Sequence, residues 1–174
     1  MEMPCTVDGM DPSSILIAGV GGIGCAWAYN AHQRCQQSAH LALIDADEES
    51  FHTGENIHVV RLGHALDSVG CAALPPLAEQ RMRGLNNYTN QLLSNTELVI
   101  LLTGLGGGVG TGAAQEFARQ ARQSGAIVLA VAALPFEAQA TRLELANEGL
   151  IRLENTAHVT VRLSLDRLAR QARE

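Results

Sequence analysis

Two glycine-rich stretches carry residue types whose spacing can do chemistry. "GVGGIG" (residues 19–24) follows the apolar run "ILIAGV", and its Gly19, Gly21 and Gly24 satisfy G-x-G-x-x-G. "TGLGGGVGTGAA" (103–114) follows the apolar run "ELVILLT" and sets six glycines within the nine residues 104–112. A strand that empties into glycines and then into a helix builds an anion site, because no Cβ keeps the ligand from the backbone amides. Asp45 ends the next apolar run, 21 residues after Gly24, where dinucleotide folds place a ribose-binding acid. The first loop alone reads either as a dinucleotide fingerprint or as a structural tight turn. The second loop is not needed by a dinucleotide fold. Two such turns suit a polyphosphate approached from two sides. The candidates are Gly21, Gly22, Gly24 and Asp45 on the first side, and Gly106, Gly107, Gly108, Gly110 and Thr111 on the second.

All twelve basic residues are arginine; the chain has no lysine. That excludes a Walker-A lysine, a Schiff-base lysine and the lysine of adenylating enzymes. Any phosphate must be held by backbone amides, helix ends, arginine or a metal. A net charge of −6 argues against a nucleic-acid or membrane-surface partner. No apolar run approaches the roughly 20 residues that span a bilayer. The four cysteines have no metal-like spacing and read as reduced thiols of a cytoplasmic protein. The six histidines show no ligand spacing either, which predicts surface or loop positions and no metal centre. "DADEES" (45–50) has the oxygen ligands for Mg2+, though a solvated acidic loop is the simpler reading.

The elements that must position these loops follow from the apolar pattern. Strands are expected over 15–20, 41–45, 56–63, 97–103, 126–134 and 157–164. Helices are expected after Gly21, over 77–94, 110–123 and 137–155, and in the tail. Continuously apolar strands alternating with helices predict an α/β fold: a doubly wound, mostly parallel, Rossmann-like sheet with helices on both faces. Residues 1–14 read as a flexible leader and 15–174 as one domain. Ligands of such sheets sit at the carboxyl ends of the strands, where both glycine loops fall.

"GGGVGTGAA" (106–114) resembles the tubulin signature as it occurs in FtsZ, with Val109 where that motif carries threonine. "GVGGIG" is similar to the family's first nucleotide loop, "ALPF" (133–136) to its sugar-loop region, "ANEGL" (146–150) to the helix that follows, and "LDRL" (165–168) to the start of its central helix. The likeness runs over about residues 15–170. It implies a guanine-nucleotide site for GTP or GDP, with or without Mg2+. It adds Val109, Glu137, Arg142 and Asp166 to the candidates, Glu137 and Arg142 as alternatives at ribose-contacting positions.

The departures from the pattern are specific. Ala26 and Leu165 stand where the family usually places base-contacting asparagines. Ala72 and Leu74 replace phosphate-loop residues within "SVGCAALPP" (68–76). The acidic loop beyond the family's central helix has no counterpart before Glu174, so hydrolysis is expected to need acidic residues from a partner, and no catalytic residue is assigned. The resemblance thus implies a nucleotide-binding protein without autonomous GTPase or polymerisation activity. Its alternatives are a pseudo-GTPase interaction module with an empty pocket and a ThiF/E1-like Rossmann enzyme. The short tail "LSLDRLARQARE" predicts an interface over 157–174, with a homodimer or another protein as partner.

Overall fold

The computed structural model describes residues 14–35, 39–63, 71 and 74–172. All but the last residue of the expected leader and most of the "SVGCAALPP" loop lie outside them. The element order is β1 (Ile15–Val20), α1 (Gly21–Arg34), β2 (His40–Asp45), a 3-10 turn (Glu48–Ser50), β3 (Ile57–Arg61), α2 (Pro75–Gly84), α3 (Asn86–Leu93), β4 (Leu98–Gly104), α4 (Gly108–Gln123), β5 (Ile127–Leu134), α5 (Ala140–Thr156), β6 (Val159–Ser164) and α6 (Leu165–Gln171). The single sheet runs β3-β2-β1-β4-β5-β6, and every pairing is parallel. The order reverses between β1 and β4, so the two glycine loops flank the switch point.

Burial explains the sequence pattern strand by strand. β1 is buried throughout, and β2 almost so, because both faces are covered. α1 packs Cys25 and Ala28 on one face of β1 and β2. α4 packs Ala114, Phe117, Ala118 and Ala121 on the other, with Ala78 and Met82 of α2 and Ala146, Leu150 and Leu153 of α5 beside it. Past β4 the α1 face thins out. Its residues there are aliphatic, yet Ile127, Val159 and Val161 are 55%, 52% and 42% exposed. The registers Leu129↔Val159 and Val131↔Val161 place them on one face, with Leu129 and Val131 only half-buried. The α1 side of β5 and β6 is a bare apolar surface.

The helix expected over 77–94 is two helices, broken at Leu85, whose amide turns back to the Met82 carbonyl. A polar network ties the pieces to α4. Thr89 donates to Gln120 Oε1 at 2.5 Å, and Gln120 Nε2 reaches Glu116 at 3.0 Å. Glu116, 2% exposed, takes a two-pronged bond from Arg119. Burial alone would raise the Glu116 pKa. The bonds from Arg119 and Gln120, with the charges of Arg119 and Arg83, outweigh it and leave the carboxyl below its ordinary value.

Candidate functional site

The first loop is shaped by a left-handed residue. Gly21 has φ +74°, which lets β1 turn straight into α1. A Cβ built on Gly21 would lie 3.1 Å from the Gly110 amide nitrogen, so the two loops touch at the switch point. Gly106 is the second left-handed position, at φ +92°. Five other glycines divide into two kinds. Cβ atoms on Gly24, Gly110 and Gly112 would collide with the carbonyls of Leu102, Gly104 and Pro75; these glycines serve close packing. Gly22 and Gly107 differ. A Cβ on Gly22 would meet nothing nearer than Ser50 Oγ at 3.8 Å, and one on Gly107 nothing nearer than Arg142 Nη2 at 4.0 Å. Protein packing does not require glycine there.

Both loops open helices whose first amides have no intrahelical acceptor. α1 and α4 have no side-chain N-cap and no acid in the first turn. The positive ends of these helices, 14 and 16 residues long, therefore meet at one edge of the sheet with no counter-charge in their own first turns. A cation reaches the second loop: Arg142, in the first turn of α5, donates from Nε to the Gly106 carbonyl at 3.4 Å. Its guanidinium flanks Gly107, the open position.

The other candidates have defined places. Gly108 and Val109 form the first turn of α4, Gly108 buried and Val109 half-buried against the core. Thr111 is 5% exposed, and its Oγ1 accepts the Gly106 N–H at 2.9 Å, closing the loop on itself while its own hydroxyl proton stays available. Asp45 is 5% exposed. One carboxylate oxygen accepts the Ala46 N–H at 2.7 Å and the other the Ser50 hydroxyl at 2.6 Å, so both engage the turn that follows β2. Glu137 and Asp166 come together: the Glu137 N–H donates to Asp166 Oδ2 at 2.9 Å, pinning the β5–α5 loop to α6. Ala26 is exposed, and Leu165 is half-buried.

Sequence reasoning missed Thr103. It is fully buried at the end of β4, and its hydroxyl lies 3.1 Å from the Val20 carbonyl and 3.0 Å from that of Gly110, between the two loops. The signal was present: Thr103 is the polar residue closing an otherwise apolar strand. The expectation of surface histidines needs correction too. His32 on α1 is 3% exposed, and burial with the charge of His40 pushes its pKa down. His40 and His58 meet across β2 and β3. Sequence spacing could not disclose the meeting of His40 and His58, because strand register, not sequence distance, sets which side chains face one another. Beneath the first loop Cys25 is fully buried. Burial, then the Asp45 charge, pushes its thiol up to about 12. Among the described residues, no three His, Cys, Asp or Glu side chains converge as metal ligands, and no helix is long and apolar enough to cross a membrane.

Comparison with known proteins agrees with this geometry. The chain is 31% identical over 156 residues to cell division protein FtsZ 1 of Archaeoglobus fulgidus, which covers 88% of this chain and 42% of that protein. It is 28% identical over 161 residues to FtsZ of Aquifex aeolicus, with 91% and 44% covered. It thus spans less than half the length of these curated relatives. Among solved structures, an empty FtsZ dimer from M. jannaschii superposes with a TM-score of 0.84 over 95% of this chain and 48% of that one, at 23% identity. CetZ2 from Haloferax volcanii, solved as a GTPγS-bound protofilament, superposes at 0.72 over 88% and 49%, at 18% identity. Both share the fold. The model of the Tubulin/FtsZ family GTPase domain matches residues 14–173, and this chain belongs to that family.

Proposed function

We propose that the chain binds GTP or GDP in the crevice between the two glycine loops and does not turn the nucleotide over alone. The observation that carries this reading is the pair Gly22 and Gly107, which have room for a side chain and carry none, each at a helix end without a cap. A phosphate placed between them takes amide N–H groups from both loops, with Arg142 as its side-chain cation. A Mg2+ ion would be held by the phosphates rather than by a protein cage. The Thr111 hydroxyl is available to a ligand oxygen. Asp166 keeps one carboxylate oxygen beyond its bond to Glu137, a suitable acceptor for the N–H edge of a guanine.

Lack of autonomous turnover is supported by what the nearby carboxylates do. Asp45 and Asp166 each already accept a backbone N–H and act as turn locks, which leaves neither free to swing onto an attacking water. A cytoplasmic partner, or a second copy, would meet the bare apolar surface of β5 and β6, which takes Val159 and Val161 from residues 157–174 and reaches Ile127 on β5.

Calorimetric titration with GTP, GDP and ATP tests the first half. Binding of a guanine nucleotide supports it, and absence of binding by all three shifts the reading to an interaction module with an empty pocket. Turnover on the order of 1 s⁻¹ in a contaminant-free preparation would refute the second half. Light scattering tests the partner: a mass above 18.5 kDa that falls in Val161→Glu supports self-association.

A further inference from the structure

We propose a second site, remote from the glycine crevice, in which His40 and His58 together bind one divalent transition-metal ion of the Zn2+, Ni2+ or Cu2+ class. The two imidazoles stand on neighbouring strands, on the same face of the sheet, because Ala42 is the register partner of His58 and His40 lies two residues before it. His58 Nε2 and His40 Nδ1 are 3.4 Å apart. That is beyond the range of about 2.7–3.2 Å usual for N–H···O hydrogen bonds. It matches the separation of about 3.3–3.4 Å that two nitrogens take when each sits roughly 2.0–2.1 Å from one tetrahedral ion.

Two further observations point to a cation. Both rings line a cavity of about 210 Å³ whose other walls are Gln91, Leu92, Ser94, Asn95 and Thr96. These walls are the last turn of α3 and the loop after it, and α3 has no basic residue in its last turn. No arginine is among the described residues that line the cavity, so the negative end of the helix faces it without one as counter-charge. Among the described residues the walls offer amide and hydroxyl oxygens but no carboxylate or thiolate, so the ion keeps coordination positions for water. Bound there, it ties edge strand β3 to β2.

The test uses the full chain. In wild type, trace Cu2+ should broaden the imidazole proton resonances of His40 and His58 before those of His52, which stacks on Tyr29 instead. Calorimetric titration with Zn2+ should then show binding weakened at least tenfold in His40→Ala and in His58→Ala, and unchanged in His52→Ala. Zn2+ should raise the thermal midpoint of wild type but not of either variant, and Mg2+ should do neither. No binding by wild type, equal loss in all three variants, or simultaneous broadening of all histidines overturns the proposal. The wild-type broadening decides the matter even if a variant fails to fold.

Discussion

Gly21 and Gly110 stand so close that a methyl group on the first would press on the amide of the second, 3.1 Å away. The glycines of this crevice consequently fail in two ways. Gly21→Ala puts a side chain on a residue at φ +74° and wedges the loops apart, and Gly110→Ala drives a methyl into the Gly104 carbonyl. Each should cost about 1–3 kcal/mol of stability, seen as a lower denaturant midpoint. Gly22→Asp and Gly107→Asp place their side chains in open room. Their midpoints should stay within about 0.5 kcal/mol of wild type, while nucleotide binding by calorimetry is lost. Equal destabilisation by all four would show that Gly22 and Gly107 are packing glycines after all.

Arg142 is the test of the all-arginine composition. Arg142→Ala should weaken nucleotide binding by about tenfold or more, since a charge-assisted contact is worth about 1.5–3 kcal/mol. GTP should suffer more than GDP if the guanidinium faces the terminal phosphate. The side chain is exposed, so the melting curve should barely change. Unaltered affinity for both nucleotides would remove Arg142 from the site.

Glu116 makes stability depend on acid. Its folded pKa lies below the ordinary 4.5, so the unfolded chain binds a proton first as pH falls. Its contribution is complete above about pH 4.5 and drains away as pH drops through the lower folded value. Glu116→Gln should lose about 1–3 kcal/mol at pH 7 and flatten the acid limb of a midpoint-against-pH curve. An acid limb as steep in the variant as in wild type would place the titrating group elsewhere.

Cys25 and Cys71 are buried, and burial raises both thiols; Cys35 is half-exposed. A maleimide reagent at pH 7.5 should therefore modify Cys35 within minutes and leave Cys25 and Cys71 unlabelled until denaturant is added. Mass spectrometry of the peptides reads this directly. Rapid native labelling of Cys25 would mean that α1 lifts from the sheet.

The fold was legible because β1 and β4 are continuously apolar and run into glycine, a combination few alternatives can satisfy. Boundaries fell within one residue of expectation at β1, β2, β4 and β5. They blurred at β3, expected to extend to residue 63 and ending at Arg61, because an edge strand carries mixed residues such as His58 and Arg61. The break at Leu85 was hidden: the preceding Gly84 sits inside a helix-compatible run, and tertiary contact with α4 decides where the chain turns. In the site, composition could locate the glycines but not sort them. Whether a glycine is needed for packing or leaves room for a ligand depends on the atom opposite, such as the Gly104 carbonyl or open space. Asp45 likewise sits where a ribose acid belongs, yet its partner is Ser50, five residues on, a local bond that strand-end position alone does not reveal.

The pairing of β1 with β4 joins residues such as Val20 and Thr103, 83 positions apart in sequence. During synthesis the first glycine loop emerges long before the second, and at about 5–20 residues per second the two are separated by several seconds. Until β4 docks, α1 has no neighbour across the crevice, and the closing of so long a loop must precede the contacts that reward it. The central strand order thus makes the crevice the last part of the molecule's middle to exist. The nucleotide proposed for this crevice, binding only the closed form, would draw the young chain toward it by mass action.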